Sequence, residues 1–121
     1  MENKYLNKVA TLLKQSYPKL SITHRLEFKN VFGAVGGYVN GKIFISCGKF
    51  GLALRLPPRV LDALFKEKGV KHLKYFPKGH IKKEYAVLPD RIVEDGTWLR
   101  KLITKSVQYV QRQALEDFSK K

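Results

Sequence analysis

Six lysines and two histidines fall between Lys68 and Lys83 with no acid among them, and Tyr75 and Phe76 sit inside the run. Side chains of these types suit a polyanion. Ammonium groups neutralise phosphates and release their counterions, while aromatic rings stack on unpaired bases. Lys71, Lys74, Lys78, Lys82 and Lys83 are therefore the candidate phosphate contacts, and Tyr75 is the candidate stacking ring, with Phe76 or Tyr85 as further ones. On the plainer reading Phe76 is expected to point inward. Lysine rather than arginine dominates, which predicts non-specific binding, because bidentate readout of base edges favours the guanidinium fork. The plainer reading of the same stretch is a solvated strand-loop-strand whose aromatics belong to the core. A second basic group lies near the C-terminus. At 100° per residue, Lys101, Lys105 and Arg112 project within about 40° of one another on a helix, opposite its apolar side.

The rest of the chain offers little reactive chemistry. His24, His72, His80 and Cys47 do not fall at metal-ligand spacing, so no metal site is expected. No Ser/His/Asp ordering, Cys–His arrangement or paired carboxylates on one helix stand out, and the expectation is a non-enzyme with no catalytic residues. Gly33-Ala34-Val35-Gly36-Gly37 matches neither dinucleotide-binding nor P-loop spacing and leads into a strand, so no cofactor is expected and turns or close strand approach explain the glycines. Glu27, Asp62, Glu84 and Asp90 read as local charge partners.

The whole chain shares the imbalance of its basic run. Lys+Arg number 24 against 10 Asp+Glu, a net charge of +14 on 121 residues. Eighteen lysines face only six glutamates, so ion pairing leaves most of the charge uncompensated. Such a surface speaks of partners rather than of fold. Apolar residues at 44% provide for a core without metals or disulfides in one domain spanning residues 1–121. One cysteine excludes an intrachain disulfide framework and suits a reducing, cytoplasmic compartment; within an apolar strand, Cys47 reads as a small buried hydrophobe. Neither a signal peptide nor a membrane-spanning run is evident.

Periodicity supplies the elements that position these residues. Tyr5, Leu6, Val9, Leu12 and Leu13 share one arc of a helix ended by Pro18. Residues 19–33 have no clear period, and a short extended piece spans Ile22–Phe28. Asn40-Gly41 between β-rich runs predicts a type I′ hairpin with Val39 opposite Lys42 and Tyr38 opposite Ile43. A second turn at Gly48–Gly51 leads to Leu52–Leu56, whose Leu52, Leu54 and Leu56 face the core. Pro57-Pro58 opens a helix with Val60, Leu61, Leu64 and Phe65 as its buried stripe, and Gly69 stops it. Strands follow at Leu73–Phe76 and Lys83–Leu88, joined by a loop. The last helix runs from about Asp95 to Phe118, with Trp98, Leu99, Leu102, Ile103, Val107, Tyr109, Val110 and Ala114 on one apolar face. The order α-β-β-β-α-β-β-α predicts an α+β, two-layer fold: an antiparallel five-stranded sheet with helices on one face.

Val31-Phe32-Gly33, Gly36-Gly37-Tyr38, Asn40-Gly41-Lys42-Ile43-Phe44, Gly51-Leu52, Leu56-Pro57 and Leu88-Pro89 after Tyr85 resemble the N-terminal domain of the TfoX/Sxy family of bacterial competence regulators. The likeness covers about residues 5–115. It implies a secretion-chaperone-like, two-layer fold of order α-β3-α-β2-α, agreeing with the order read from periodicity. It brings no catalytic residues. Val31 stands where the family usually has Met. The second, helical domain of full-length regulators has no counterpart in these residues, so a stand-alone N-terminal domain is the expectation. The leading functional expectation is a small regulatory domain associated with nucleic acid through its lysines, DNA or RNA alike. The alternative is an adaptor that recruits an acidic protein partner and forms a homodimer, as secretion chaperones do.

Overall fold

The computed structural model describes residues 3–119. Helix α1 (Lys4–Ser16) starts at Asn3, whose side chain accepts hydrogen bonds from the backbone N–H groups of Tyr5 and Leu6, and it buries Val9 and Leu13. A single turn, α2 (Leu20–Thr23), follows Pro18. The expected extended piece begins later than its apolar residues suggested. Ile22 lies in α2 and is 82% exposed, and the strand β1 runs from Leu26 to Val31.

Four strands then succeed one another through tight turns: β1, β2 (Ala34–Val39), β3 (Lys42–Gly48) and β4 (Gly51–Arg55). Val39 pairs with Lys42 and Tyr38 with Ile43, in the register predicted from Asn40-Gly41. The β1–β2 connection has the same build: Val31 pairs with Ala34 across a two-residue loop, Phe32-Gly33. Both central residues have positive φ in each loop, 51° and 83° in the first and 49° and 84° in the second, which defines two type I′ turns. Close approach explains the glycines of β2. A Cβ on Gly37 would stand 2.5 Å from Ile45 Cγ2, and one on Gly36 2.9 Å from Ile43 Cδ1.

Helix α3 (Pro58–Leu64) begins at the proline pair, buries Leu61 and Leu64, and ends at Phe65, well before Gly69. Val60 and Phe65 pack on the core only partly buried. The edge strand β5 covers Lys71–Leu73, shorter than and N-terminal to the expected Leu73–Phe76, and β6 covers Lys82–Leu88. A register shift between His72 and Leu73 breaks the alternation there, so residues 74–81 leave the sheet as a loop. After the short α4 (Asp90–Val93), Asp95 accepts from the N–H of Trp98 and opens α5 (Gly96–Ser119).

The sheet has six strands in the order β1-β2-β3-β4-β6-β5, all pairs antiparallel, rather than five. β1 is the added strand. Its turn carries a phenylalanine where turn chemistry favours Asn, Asp or Gly, which hides the hairpin from the sequence.

Alternation along the strands divides the interior into two cores. Leu52, Leu54, Ala86 and Leu88 point to the side where α1, α3 and α5 pack, with Leu99, Ile103, Val107 and Val110 of α5 against them. Ser106 clamps that layer: its buried hydroxyl lies 2.9 Å from Phe44 O and 2.6 Å from Arg55 O, a single proton shared between the ends of β3 and β4. Ala53, Leu73, Tyr85 and Val87 point to the opposite side, where Ile43, Phe50 and Tyr75 cover them. Helices thus occupy one face. An aromatic layer, laid down by the β3–β4 turn and the loop after β5, covers part of the other.

Candidate functional site

Lys71, Lys74, Lys78, Lys82 and Lys83 are all exposed on β5, on β6 and in the loop between them. None takes part in an ion pair among the described residues, whose four pairs are Arg25–Glu27, Lys42–Asp117, Arg55–Glu84 and Arg91–Glu67. Lys71 pairs with Val87, so the register sets it on the aromatic side of the sheet, and Lys83, two residues before Tyr85, follows the same alternation. His72 lies on the helix side, its ring stacked 4.2 Å from that of Phe65.

The aromatics depart from expectation. Tyr85 is 9% exposed and buried in the second core, so it offers no ring to a base. Its burial pushes the phenol pKa up, with the nearby Tyr75 and Glu84 adding to the rise and Arg55 opposing it. Tyr75 is half-buried. Its hydroxyl lies 3.0 Å from Ser46 Oγ, and its ring stands edge-on to Phe32 and Phe50 at 5.5 and 5.7 Å. Burial raises its pKa as well, against the opposing effect of the hydrogen bond shared with Ser46. Tyr75 is therefore wall rather than platform. Phe76, expected inside, is 53% exposed, because the strand that would have turned it inward stops at Leu73. Its ring meets that of Phe32 edge-on at 5.5 Å.

Phe32, which the sequence did not single out, is 66% exposed and touches both Tyr75 and Phe76. Tyr5 of α1, together with Phe32, Lys49, Phe50, Tyr75 and Phe76, lines an open groove of about 410 Å³. Further along the same face the Lys29 ammonium lies 5.1 Å from the centre of the Tyr38 ring, a cation–π contact. The only signal in the sequence was local: aromatics and lysines interleaved along 71–83, with their partners Phe32 and Phe50 contributed by two separate turns.

Lys101, Lys105 and Arg112 lie exposed along α5, which packs on the helix side of the sheet. Lys101 and Lys105 line a shallow depression with Arg100, and Lys105 and Arg112 line another with Pro57 and Tyr109. The fold therefore sets Lys71 and Lys83 across the sheet from the basic residues of α5. Tyr109 donates to Glu84 Oε1 at 2.8 Å, and burial together with that carboxylate raises its pKa. Glu84 also binds Arg55 at 2.9 Å, the local charge role expected of it, as Glu27 binds Arg25 at 3.0 Å.

Among the described residues no three His, Cys, Asp or Glu side chains gather as a metal site, and no helix is long and apolar enough to cross a membrane. Cys47 is fully buried in the helix-side core, where desolvation raises its thiol pKa, the opposite of what an activated thiolate needs.

The family model of the TfoX N-terminal domain matches residues 19–110. The chain belongs to that family. Its members are regulatory-type domains, and the match runs from α2 through most of α5, taking in all six strands. No curated protein and no solved structure matches the chain. In this TfoX N-terminal domain Phe32, Lys49, Phe50, Tyr75 and Phe76 of the groove and the lysines of 71–83 fall inside the matched region, as do Lys101 and Lys105, whereas Tyr5 and Arg112 lie outside it.

Proposed function

We propose that this domain is a small non-enzymatic regulatory module that associates with nucleic acid through charge. Lys71, Lys74, Lys78, Lys82 and Lys83 hold backbone phosphates, and Lys101, Lys105 and Arg112 extend the contact along α5. The observation that carries this reading is the set of five exposed lysines with no acidic partner among the described residues, in a chain of net charge +14. Exposed, unpaired ammonium groups cost little to bring to a phosphate, since no ion pair must first be broken, and counterion release then drives association. Competence and transcription supply the family context for such a role, and the cytoplasm its setting.

Salt dependence tests the proposal. With labelled duplex DNA, log Kd is expected to change linearly with log salt, each phosphate neutralised contributing about 0.9 to the slope. Changing all five lysines to Gln should flatten that slope by several contacts. An affinity indifferent to salt would remove the proposal and leave the adaptor reading, a module for an acidic protein partner, in its place. Binding that keeps its slope in the variant would move the phosphate contacts to α5.

A further inference from the structure

The turn between β1 and β2 breaks a local rule. A type I′ turn needs positive φ at both central residues, and Asn, Asp or Gly is favoured first because a side chain with a bulky Cβ substituent is strained there. Phe32 occupies that position at φ 51° and leaves two thirds of its surface in water. The ring is thus held in a disfavoured conformation without being buried in a core. An observed outlier of this kind, retained where the surrounding structure enforces it, points toward a role at a surface.

The surroundings specify the chemistry of that role. Phe32 and Phe76 stand edge-on to each other at the mouth of the groove, with ring centres 5.5 Å apart, and Tyr75 and Phe50 form its floor and wall. Lys49 lines the groove, and Lys74 and Lys78, both exposed, flank Tyr75 and Phe76 along the chain. No acid lines it. Apolar rings enclosed by cations fit a ligand that carries flat apolar faces and a regularly spaced negative charge. A single-stranded nucleic acid has both; a duplex keeps its base faces stacked inside and presents only phosphates, sugars and base edges.

We infer that the groove binds single-stranded nucleic acid, with exposed Phe32 and Phe76 stacking on unpaired bases while Lys49, Lys74 and Lys78 take the flanking phosphates. This deepens the charge-based reading and rests on it. Recognition by stacking is tolerant of sequence, because every base has a π-face.

Anisotropy titrations with a labelled oligothymidylate of about 15 nucleotides, in the range one single-strand-binding fold covers, and with a duplex of the same length test the inference. The native domain should bind the single strand more tightly. Phe32→Ala with Phe76→Ala should weaken single-strand binding by at least about fivefold while leaving the duplex affinity unchanged. Phe32→Asn, which suits the turn, guards against a loss caused by misfolding and should give the same selective weakening, whereas Phe32→Trp should retain binding. Equal affinity for both forms, with the aromatic variants unchanged and only the lysine variant impaired, would overturn stacking yet keep the charge reading. Absence of binding to either form at low salt would overturn both.

Discussion

β2 is entered and left through turns of one geometry but opposite chemistry. At its C-terminal end Asn40-Gly41 obeys the residue preferences of a type I′ turn. The Asn40 carboxamide accepts from Arg25 N–H at 2.9 Å and donates to Gln111 Oε1 at 3.1 Å, tying the turn to the helix layer through polar bonds. At its N-terminal end Phe32-Gly33 has nearly the same φ values and no such bonds; its side chain rests edge-on against aromatics of the opposite layer. One turn is built for stability. The other accepts strain to present a ring. The difference teaches that the two faces of the sheet are under different demands: the helix face closes a core, and the aromatic face stays partly open beneath a rim of lysines.

Exchanging the chemistry of the turns should break the comparison most visibly at the second. Asn40→Phe removes two hydrogen bonds and places a bulky residue at positive φ. A loss of about 2–3 kcal/mol is expected, combining roughly 1 kcal/mol of backbone strain with about 1 kcal/mol for each bond. Chemical denaturation measures it. A cost below about 0.5 kcal/mol would mean that the two turns tolerate the same residues and that Phe32 signals nothing.

Alkaline titration should sharpen the comparison from the other face. Burial raises the phenol pKa of Tyr75, which meets Phe32 of the first turn edge-on, and of Tyr85 in the same aromatic-side core. A folded-state pKa above the unfolded value of about 10 means that the native state holds these protons more tightly, so their contribution is complete below about pH 10 and declines as pH rises past it. The denaturation midpoint should therefore fall as pH rises past about 10, and Tyr85→Phe should make that fall shallower. A Tyr85→Phe profile parallel to that of the native domain would show that the aromatic layer contributes nothing to the alkaline limb.

How much of this was legible in the sequence depends on whether local chemistry agreed with tertiary position. Asn40-Gly41, Pro57-Pro58 and the alternation of Leu52, Leu54 and Leu56 agreed, and turn register, helix start and core face all followed. β1 was only half visible because its turn carries Phe32, and its burial alternates poorly along Leu26–Val31. Phe76 was misplaced because a register shift after His72 ends the strand that would have turned it inward. The basic lysines were evident as a run. The placement of Lys71 and Lys83 across the sheet from Lys101, Lys105 and Arg112, and the arrival of Phe32 and Phe50 beside Tyr75, come from pairings of distant strands, which no local pattern encodes.

The smallest effect is expected from the reciprocal exchange, and it discriminates best. Phe32→Asn relieves roughly 1 kcal/mol of left-handed strain. It also forfeits the edge contacts with Tyr75 and Phe76, worth about 0.5–1.5 kcal/mol beyond area, of which an exposed ring realises the lower part. The two effects nearly cancel, so stability should change by less than about 0.5 kcal/mol even though a phenyl group has been removed. A core phenylalanine would behave quite differently, since its truncation leaves a cavity and costs about 3–5 kcal/mol. A loss near that figure would make Phe32 a structural plug whose exposure is incidental. Near-neutrality would leave the ring without a role in stability, and the strain it imposes on the turn would then have to be explained by what the ring meets outside the molecule.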